Sequence, residues 1–335
     1  MFFPPHTLPF LFILLSGTLL SISSSSWFGA WVGLELNLMS FIPLITLKTQ
    51  PFFSEASLKY FLIQALGSSV IVLASCMVVS NLFISTPMLF MALLLKLGSA
   101  PFHFWFPQVT EGLLWPQALL LLTIQKIAPM FLISYLLSSN PIIMILTISA
   151  AVLSSMVGAL GGFNQMLLRK IMAFSSINHM SWMLIAMTIS ESLWLMYFSF
   201  YSLISSSVIF LFHSFQAFHI SHTLQHLNSS PFIFMIMPMS LLSLGGLPPF
   251  TGFLPKWMMI QAMASCNMFL PLVFLLASAL ITLYFYIRIF NMYMIFYSPY
   301  MKWTFKYQYS KKEIFSIDFF FNLSGIFFSS FLFLF

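Results

Sequence analysis

The sequence predicts an all-α, multi-pass membrane protein. Two observations carry that prediction: the 335 residues are 60% hydrophobic and only 5% charged, and apolar runs of membrane-spanning length recur along nearly the whole chain. An ordinary soluble domain carries about 25% charged residues. Here 12 Lys and Arg with 6 Asp and Glu are too few to coat a water-facing surface, and the mean hydropathy is +1.00. The outer shell must therefore be lipid. The formal net charge of +6 gathers in loops, with no basic stripe interleaved with exposed aromatics, which excludes nucleic-acid binding.

Runs that meet the requirement of about 20 residues per crossing are expected, in order, at Leu8–Ile22, Trp27–Leu47, Tyr60–Phe83, Met88–Phe106, Leu113–Leu137, Ile142–Leu160, Ile171–Ile189, Leu193–Phe218, Phe232–Met263, Phe269–Ile295 and Phe315–Phe335. That is about eleven transmembrane helices in a single domain over 1–335. Polar or Pro-containing joints separate them, at Ser23 to Ser26, Thr49-Gln50-Pro51, Asn140-Pro141, Gly161-Gly162 and Asn228-Ser229-Ser230-Pro231. A β-barrel needs alternating segments of about 10 residues, and these runs are apolar on every side.

Counting faces by alternation places the amino terminus and the loops after the even-numbered helices on one side. That side receives Lys48, Lys59, Arg169, Lys170, Lys302, Lys306, Lys311 and Lys312, and the opposite loops receive no Lys or Arg. The positive-inside rule makes the first side the matrix or cytoplasm and leaves the carboxyl terminus outside. The start, Met1-Phe2-Phe3-Pro4-Pro5-His6, has neither a cationic signal region nor an Arg-rich transit pattern, from which synthesis within the organelle of use is expected.

Cofactor chemistry is not expected on this chain. Its two cysteines, Cys76 and Cys266, lie in separate apolar runs, whereas a common iron–sulfur cluster takes about four ligands. Gly245-Gly246 leads into Leu-Pro-Pro, not into a phosphate-binding helix start.

Four ionisable residues sit near the middle of expected spans: Glu35, Lys96, Lys126 and Lys256. Each costs about 2.5–3.5 kcal/mol at the bilayer centre unless it faces a partner or water. Lys126 lies roughly 20 Å into its run at 1.5 Å per residue, too deep to snorkel. Two of these helices also carry breakers, at Gly98-Ser99-Ala100-Pro101 and at Gly245-Gly246-Leu247-Pro248-Pro249. Irregular backbone is tolerated at that depth only where it lines a cavity or packs in protein, and paired breaks mark the transport sites of repeat-built transporters. Ala100-Pro101-Phe102 and Pro248-Pro249-Phe250 echo one another.

The run Leu94-Leu95-Lys96-Leu97-Gly98-Ser99-Ala100-Pro101-Phe102-His103-Phe104-Trp105-Phe106-Pro107, followed by Gln125-Lys126-Ile127-Ala128-Pro129, closely resembles the proton-translocating antiporter-like subunits of respiratory complex I. So do Trp31-Val32-Gly33-Leu34-Glu35-Leu36-Asn37, Asn164-Gln165 with Leu168-Arg169-Lys170-Ile171, Ser175-Ser176-Ile177-Asn178-His179-Met180, and the stretch from Leu244 to Lys256. The resemblance extends from Phe28 to Arg288.

It implies two inverted five-helix repeats with broken helices, placed approximately at 27–230 and 231–335. It matches Glu35 and Lys96 to the family's glutamate–lysine pair, Lys126 to its central lysine and Lys256 to the lysine of the second broken helix. It further implies a non-redox subunit of a proton-translocating NADH:ubiquinone reductase in the mitochondrial inner membrane, with no catalysis by the isolated chain. NADH, FMN, iron–sulfur clusters and ubiquinone would then be handled by partner subunits of the complex.

The same charges would suit a stand-alone cation/proton antiporter subunit, which sodium exchange would reveal. They would also suit a structural membrane-arm scaffold, in which neutralising a lysine would harm assembly more than turnover.

Weaker candidates complete the reading. His103 lies seven residues after Lys96 and would share its face on a continuous helix. His179 follows Ser175, Ser176 and Asn178 in an otherwise apolar run. Both are candidate relay groups, because imidazole titrates near neutrality, and both would equally serve as hydrogen-bonded packing residues. His213, His219, His222 and His226 approach helical ligand spacing but have no accompanying carboxylate, so no metal is assigned. Glu111 and Glu191 fall at expected helix ends. The 24 Met and 42 Phe read as lipid-facing filler.

Overall fold

Helices form wherever the apolar runs allow every backbone group to be paired internally, the condition that lipid imposes. The computed structural model describes residues 4–46, 51–80, 82–138, 140–225, 231–248 and 250–296. A short 3-10 turn, Pro5–Thr7, leads into α1 (Leu8–Ser23), followed by α2 (Trp27–Ile45), α3 (Pro51–Val79), α4 (Ser85–Leu97), α5 (Trp105–Glu111), α6 (Trp115–Leu122) and α7 (Ile124–Leu137). The second part comprises α8 (Pro141–Gly162), α9 (Leu168–Ile189), α10 (Glu191–Phe215), α11 (Ile220–Gln225), α12 (Pro231–Gly245), α13 (Phe253–Ser265) and α14 (Phe269–Phe296). Among the described residues there is no strand, only an isolated bridge between Leu167 and His219.

Each expected span up to Ile295 is present as a helix or as a pair of helices. The eleventh, Phe315–Phe335, lies outside the described residues, as do Lys48, His226, Pro249, Lys302, Lys306, Lys311 and Lys312. Among the described residues seven spans are long and apolar enough to cross a membrane by length and composition. The α9 helix, although 22 residues long, is not one of them. It packs against α5, α6, α7, α8, α10, α13 and α14 and is buried along most of its length. Its Ser, Asn and His residues face protein, not lipid. Near the amino end, α1 and α2 cross at Gly17 and Gly33, where a side chain on either would meet the opposing backbone, the small-residue packing that membrane helices use.

Three expectations change. The third span begins at Pro51, nine residues earlier than expected from hydropathy, and in its added turns Lys59 pairs with Glu55 at 2.6 Å. Lys59 is thus a helix cation and not a loop cation. Arg169 and Lys170 likewise belong to the first turn of α9.

The fifth span is not continuous. It breaks at Thr123 (φ −117°, ψ −75°) into α6 and α7, and the Lys126 amide bonds to the Thr123 carbonyl at 3.1 Å. Further on, inside α7, Pro129 has no N–H to give to the Gln125 carbonyl and its ring crowds it.

The fourth span divides at 98–104, as expected from its breakers, so Lys96 on α4 and His103 in the connection do not share a helical face.

Candidate functional site

The first break is built around carbonyls that α4 can no longer satisfy at its carboxyl end. Gly98 turns the chain at φ +69°, its amide capping Leu94. Gln64 of α3 donates to the Lys96 carbonyl at 3.2 Å, and the Trp105 indole donates to the Leu95 carbonyl at 3.0 Å. Pro101 lies in the connection. This leaves the Lys96 side chain buried, its stem against Gly67 of α3.

The second break uses a lysine for the same purpose. Gly245 ends α12, Gly246 turns at φ +79°, and Lys256 of α13 crosses back to donate its Nζ to the Gly245 carbonyl at 2.7 Å. Pro248 follows in the connection, with Pro249 outside the described residues.

Lys126 is 2% exposed. Its Nζ donates to the Tyr201 hydroxyl of α10 at 3.3 Å and lies 5.0 Å from the centre of that ring and 5.4 Å from that of Phe106. Both rings lie within the range at which a desolvated ammonium gains from an aromatic face.

Lys96 and Lys126 line one narrow cavity of about 20 Å³ with Asn37, Tyr60, Gln64 and Gln125, about the space one water molecule needs. Glu35 acts electrostatically on Lys96 and on Tyr60. The ion pairs among the described residues are Lys59–Glu55 and Lys170–Glu111. Glu35 and Lys96 are therefore neighbours in each other's field without direct contact, and Glu35 Oε2 is buried without a hydrogen-bond partner.

Beyond Lys126 the polar path continues along α9 and α10. His179 Nδ1 lies 3.0 Å from the Tyr197 hydroxyl, and its ring centre is 5.1 Å from that of Tyr201. The charges of Lys126 and Lys256 both act on His179, so this histidine lies in the field of both. One residue before it, Asn178 accepts from Ser278 at 3.0 Å and donates to Thr282 at 3.4 Å on α14.

Lys96, Lys126, His179 and Lys256 are thus all buried, and half-buried Glu35 lies close enough to act on Lys96. His103 stands aside, its ring tilted against that of Phe104 with centres 4.0 Å apart. His219 pairs with Ser221 at 2.9 Å. Sequence reasoning missed Tyr197 and Tyr201, whose spacing of four residues on a Ser-rich helix was the available signal, and Tyr60 and Gln64 on α3.

Glu111 proves to be more than a solvated helix end, since it pairs with Lys170 at 2.8 Å. The Arg169 Nη1 donates to the Leu113 carbonyl at 2.6 Å. Lys59 and Arg169 line one cavity at a single end of the bundle.

A family model described as NADH:quinone oxidoreductase/Mrp antiporter, transmembrane, matches residues 24–282. The chain belongs to this family. Within it, the chain is 47% identical over 328 residues to NADH-ubiquinone oxidoreductase chain 2 of Anopheles gambiae, covering 95% of this chain and 94% of that one. The protein of the same name from Bos taurus is 40% identical over 299 residues, 84% of each chain.

Among solved structures, a chain of respiratory complex I from Thermus thermophilus superposes with a TM-score of 0.82 at 22% identity, over 96% of this chain and 78% of that one. A chain of the Mrp complex from Dietzia gives 0.74 at 15% identity, over 84% and 59%. These two likenesses establish a common antiporter-like fold.

Proposed function

We propose that the chain is a membrane-arm subunit of NADH:ubiquinone oxidoreductase in the mitochondrial inner membrane. In this reading it passes protons along Glu35, Lys96, Lys126, His179 and Lys256 while partner subunits oxidise NADH and reduce ubiquinone. FMN and the iron–sulfur clusters belong to those partners, and this chain contributes charge and proton affinity without redox chemistry. The observation that carries the reading is the shared cavity of Lys96 and Lys126. Two buried lysines lining one water-sized space are costly as mere packing and useful as successive proton holders.

Desolvation disfavours the charged form of a lysine, and a nearby carboxylate favours it. A change in charge or position at Glu35 therefore alters how firmly Lys96 holds its proton. When Lys96 releases a proton to water in the cavity, a neutral Lys126 takes it up on its lone pair, and the Tyr201 hydroxyl steadies the resulting ammonium. His179, in the field of both Lys126 and Lys256, is the next acceptor. Lys256 also ties the second break through Gly245, so its protonation bears on the backbone there. The matching left-handed glycines at the two breaks support an internal duplication of the kind seen in repeat-built transporters. The distribution of Lys and Arg supports an amino terminus in the matrix and a carboxyl terminus in the intermembrane space.

The test is Lys126→Ala in the assembled complex, reconstituted in sealed vesicles. The expected result is a complex of normal size that has lost proton pumping and, through coupling, most NADH:ubiquinone turnover. Normal pumping by that variant would overturn the relay. Sodium exchange by the isolated chain would favour the free-standing antiporter.

A further inference from the structure

Where α1 gives way to α2, and where α7 ends beside the start of α10, the helices enclose a cavity of about 320 Å³. Small-molecule sites span roughly 300–1,000 Å³. Glu191, in the first turn of α10, lines this cavity, whereas Gln216 at the other end of α10 lines the one that holds Lys59 and Arg169. The two cavities therefore lie at opposite ends of the bundle.

Its polar lining consists largely of acceptors. The Ser24 hydroxyl donates to the Ser21 carbonyl at 3.0 Å, Ser134 to Phe131 at 2.9 Å and Ser138 to Tyr135 at 2.8 Å. With their protons spent on backbone one turn back, these three hydroxyls offer the cavity only lone pairs. Glu191 adds a carboxylate that has no ion pair among the described residues, and no described Lys, Arg or His lines the space. Aromatic rings form the rest of the wall: Trp27 meets Tyr135 edge to face with centres 6.0 Å apart, and Phe131 meets Trp194 at 4.9 Å. An ammonium is attracted to such ring faces. Trp and Tyr favour the headgroup level of a membrane, and exposed Ile22 and Leu195 carry the lining out onto apolar surface.

We infer that this cavity holds the primary ammonium of an ethanolamine-type phospholipid headgroup, with Glu191 as its counter-charge, the serine oxygens as its acceptors and Trp27 and Tyr135 as its aromatic wall. A primary ammonium brings three N–H donors to a lining of acceptors. A quaternary ammonium brings none and leaves the serine lone pairs unused, and an anionic headgroup meets Glu191 with no cation to offset it. The apolar rim favours a lipid over a water-soluble amine, because acyl chains continue over Ile22 and Leu195 while the phosphate stays in water. The site draws on no step of the proton relay.

The experiment uses the intact complex in phosphatidylcholine vesicles that contain a small fraction of phosphatidylethanolamine with a photoactivatable diazirine near the glycerol end of one acyl chain. After photolysis, peptide mass spectrometry locates the label. It should fall on Ile22 and Leu195, fade when unlabelled phosphatidylethanolamine is added, and persist when the same amount of phosphatidylcholine is added. Lipid-facing Leu62 and Leu66 of α3 should show no such preference. Glu191→Gln, in a complex of normal size, should lower the label at Ile22 and Leu195 about tenfold, and Glu191→Asp should keep most of it.

Equal competition by the two lipids, or undiminished label in Glu191→Gln, would reduce the occupant to unselective boundary lipid and overturn the site. Displacement by millimolar spermine but not by added phosphatidylethanolamine would assign the cavity to a soluble amine and overturn the lipid. Each of these results leaves the Lys126→Ala test of the relay untouched.

Discussion

Lys126 Nζ on α7 and the hydroxyl of Tyr201 on α10 lie 3.3 Å apart, which ties the central lysine to the helix that also carries the partner of His179. Tyr201→Phe removes the acceptor and keeps the ring beneath the ammonium. A hydrogen bond to a charged group contributes about 1.5–3 kcal/mol, so pumping should slow by roughly one to two orders of magnitude with assembly intact. Vesicle acidification and native gel size together provide the measurement.

Lys126→Arg should fail as Lys126→Ala does, although it keeps the positive charge. A guanidinium does not surrender its proton near neutral pH and is planar where the ammonium is compact. Equal inactivity of the two variants in normally sized complexes points to proton release and not to charge alone. Full activity in Lys126→Arg would contradict it.

Gly246→Ala tests the second break. At φ +79° an added Cβ would stand 2.8 Å from Lys256 Cδ, and the left-handed region costs a non-glycine residue roughly 1–2 kcal/mol. The expected outcome is a lower yield of assembled complex and a Lys256 displaced from the Gly245 carbonyl. The same change at half-buried Gly29, whose φ is not positive, serves as control for the left-handed turn and should assemble better than Gly246→Ala.

Glu35 and Lys96 act on one another without contact, which predicts a coupling that one change cannot describe. Glu35→Gln and Lys96→Met should each slow pumping, and the double variant should lose less than the sum of the two in free energy, as interacting sites do. Strict additivity of the measured rates would show that the two residues are independent.

The sidedness of the bundle is open to labelling. Gln216, exposed beside Arg169, should react as Gln216→Cys only from the matrix side, with Ser25→Cys reacting only from the intermembrane space. The reverse pattern would invert the proposed topology.

The sequence alone determined that this chain is a helical membrane protein, roughly where its helices run, and which charges are buried. Those properties follow from local composition: an apolar run must pair its own backbone in lipid, and an ionised side chain in such a run must face inward. Breaks at Gly98 and Gly246 were legible because glycine and proline act on their own stretch of chain. The break at Thr123 was not, since no glycine or proline stands there and the effect of Pro129 falls on the Gln125 carbonyl within α7.

Tertiary structure alone decided which buried groups meet. Lys96 and Lys126 share a cavity, Lys126 reaches Tyr201 across 75 positions of sequence, and His179 comes into the field of both Lys126 and Lys256 because α9 runs through the middle of the bundle. Helical periodicity fixes the face a residue occupies on its own helix. The partner opposite that face depends on how the helices pack, and no short stretch of sequence carries that information.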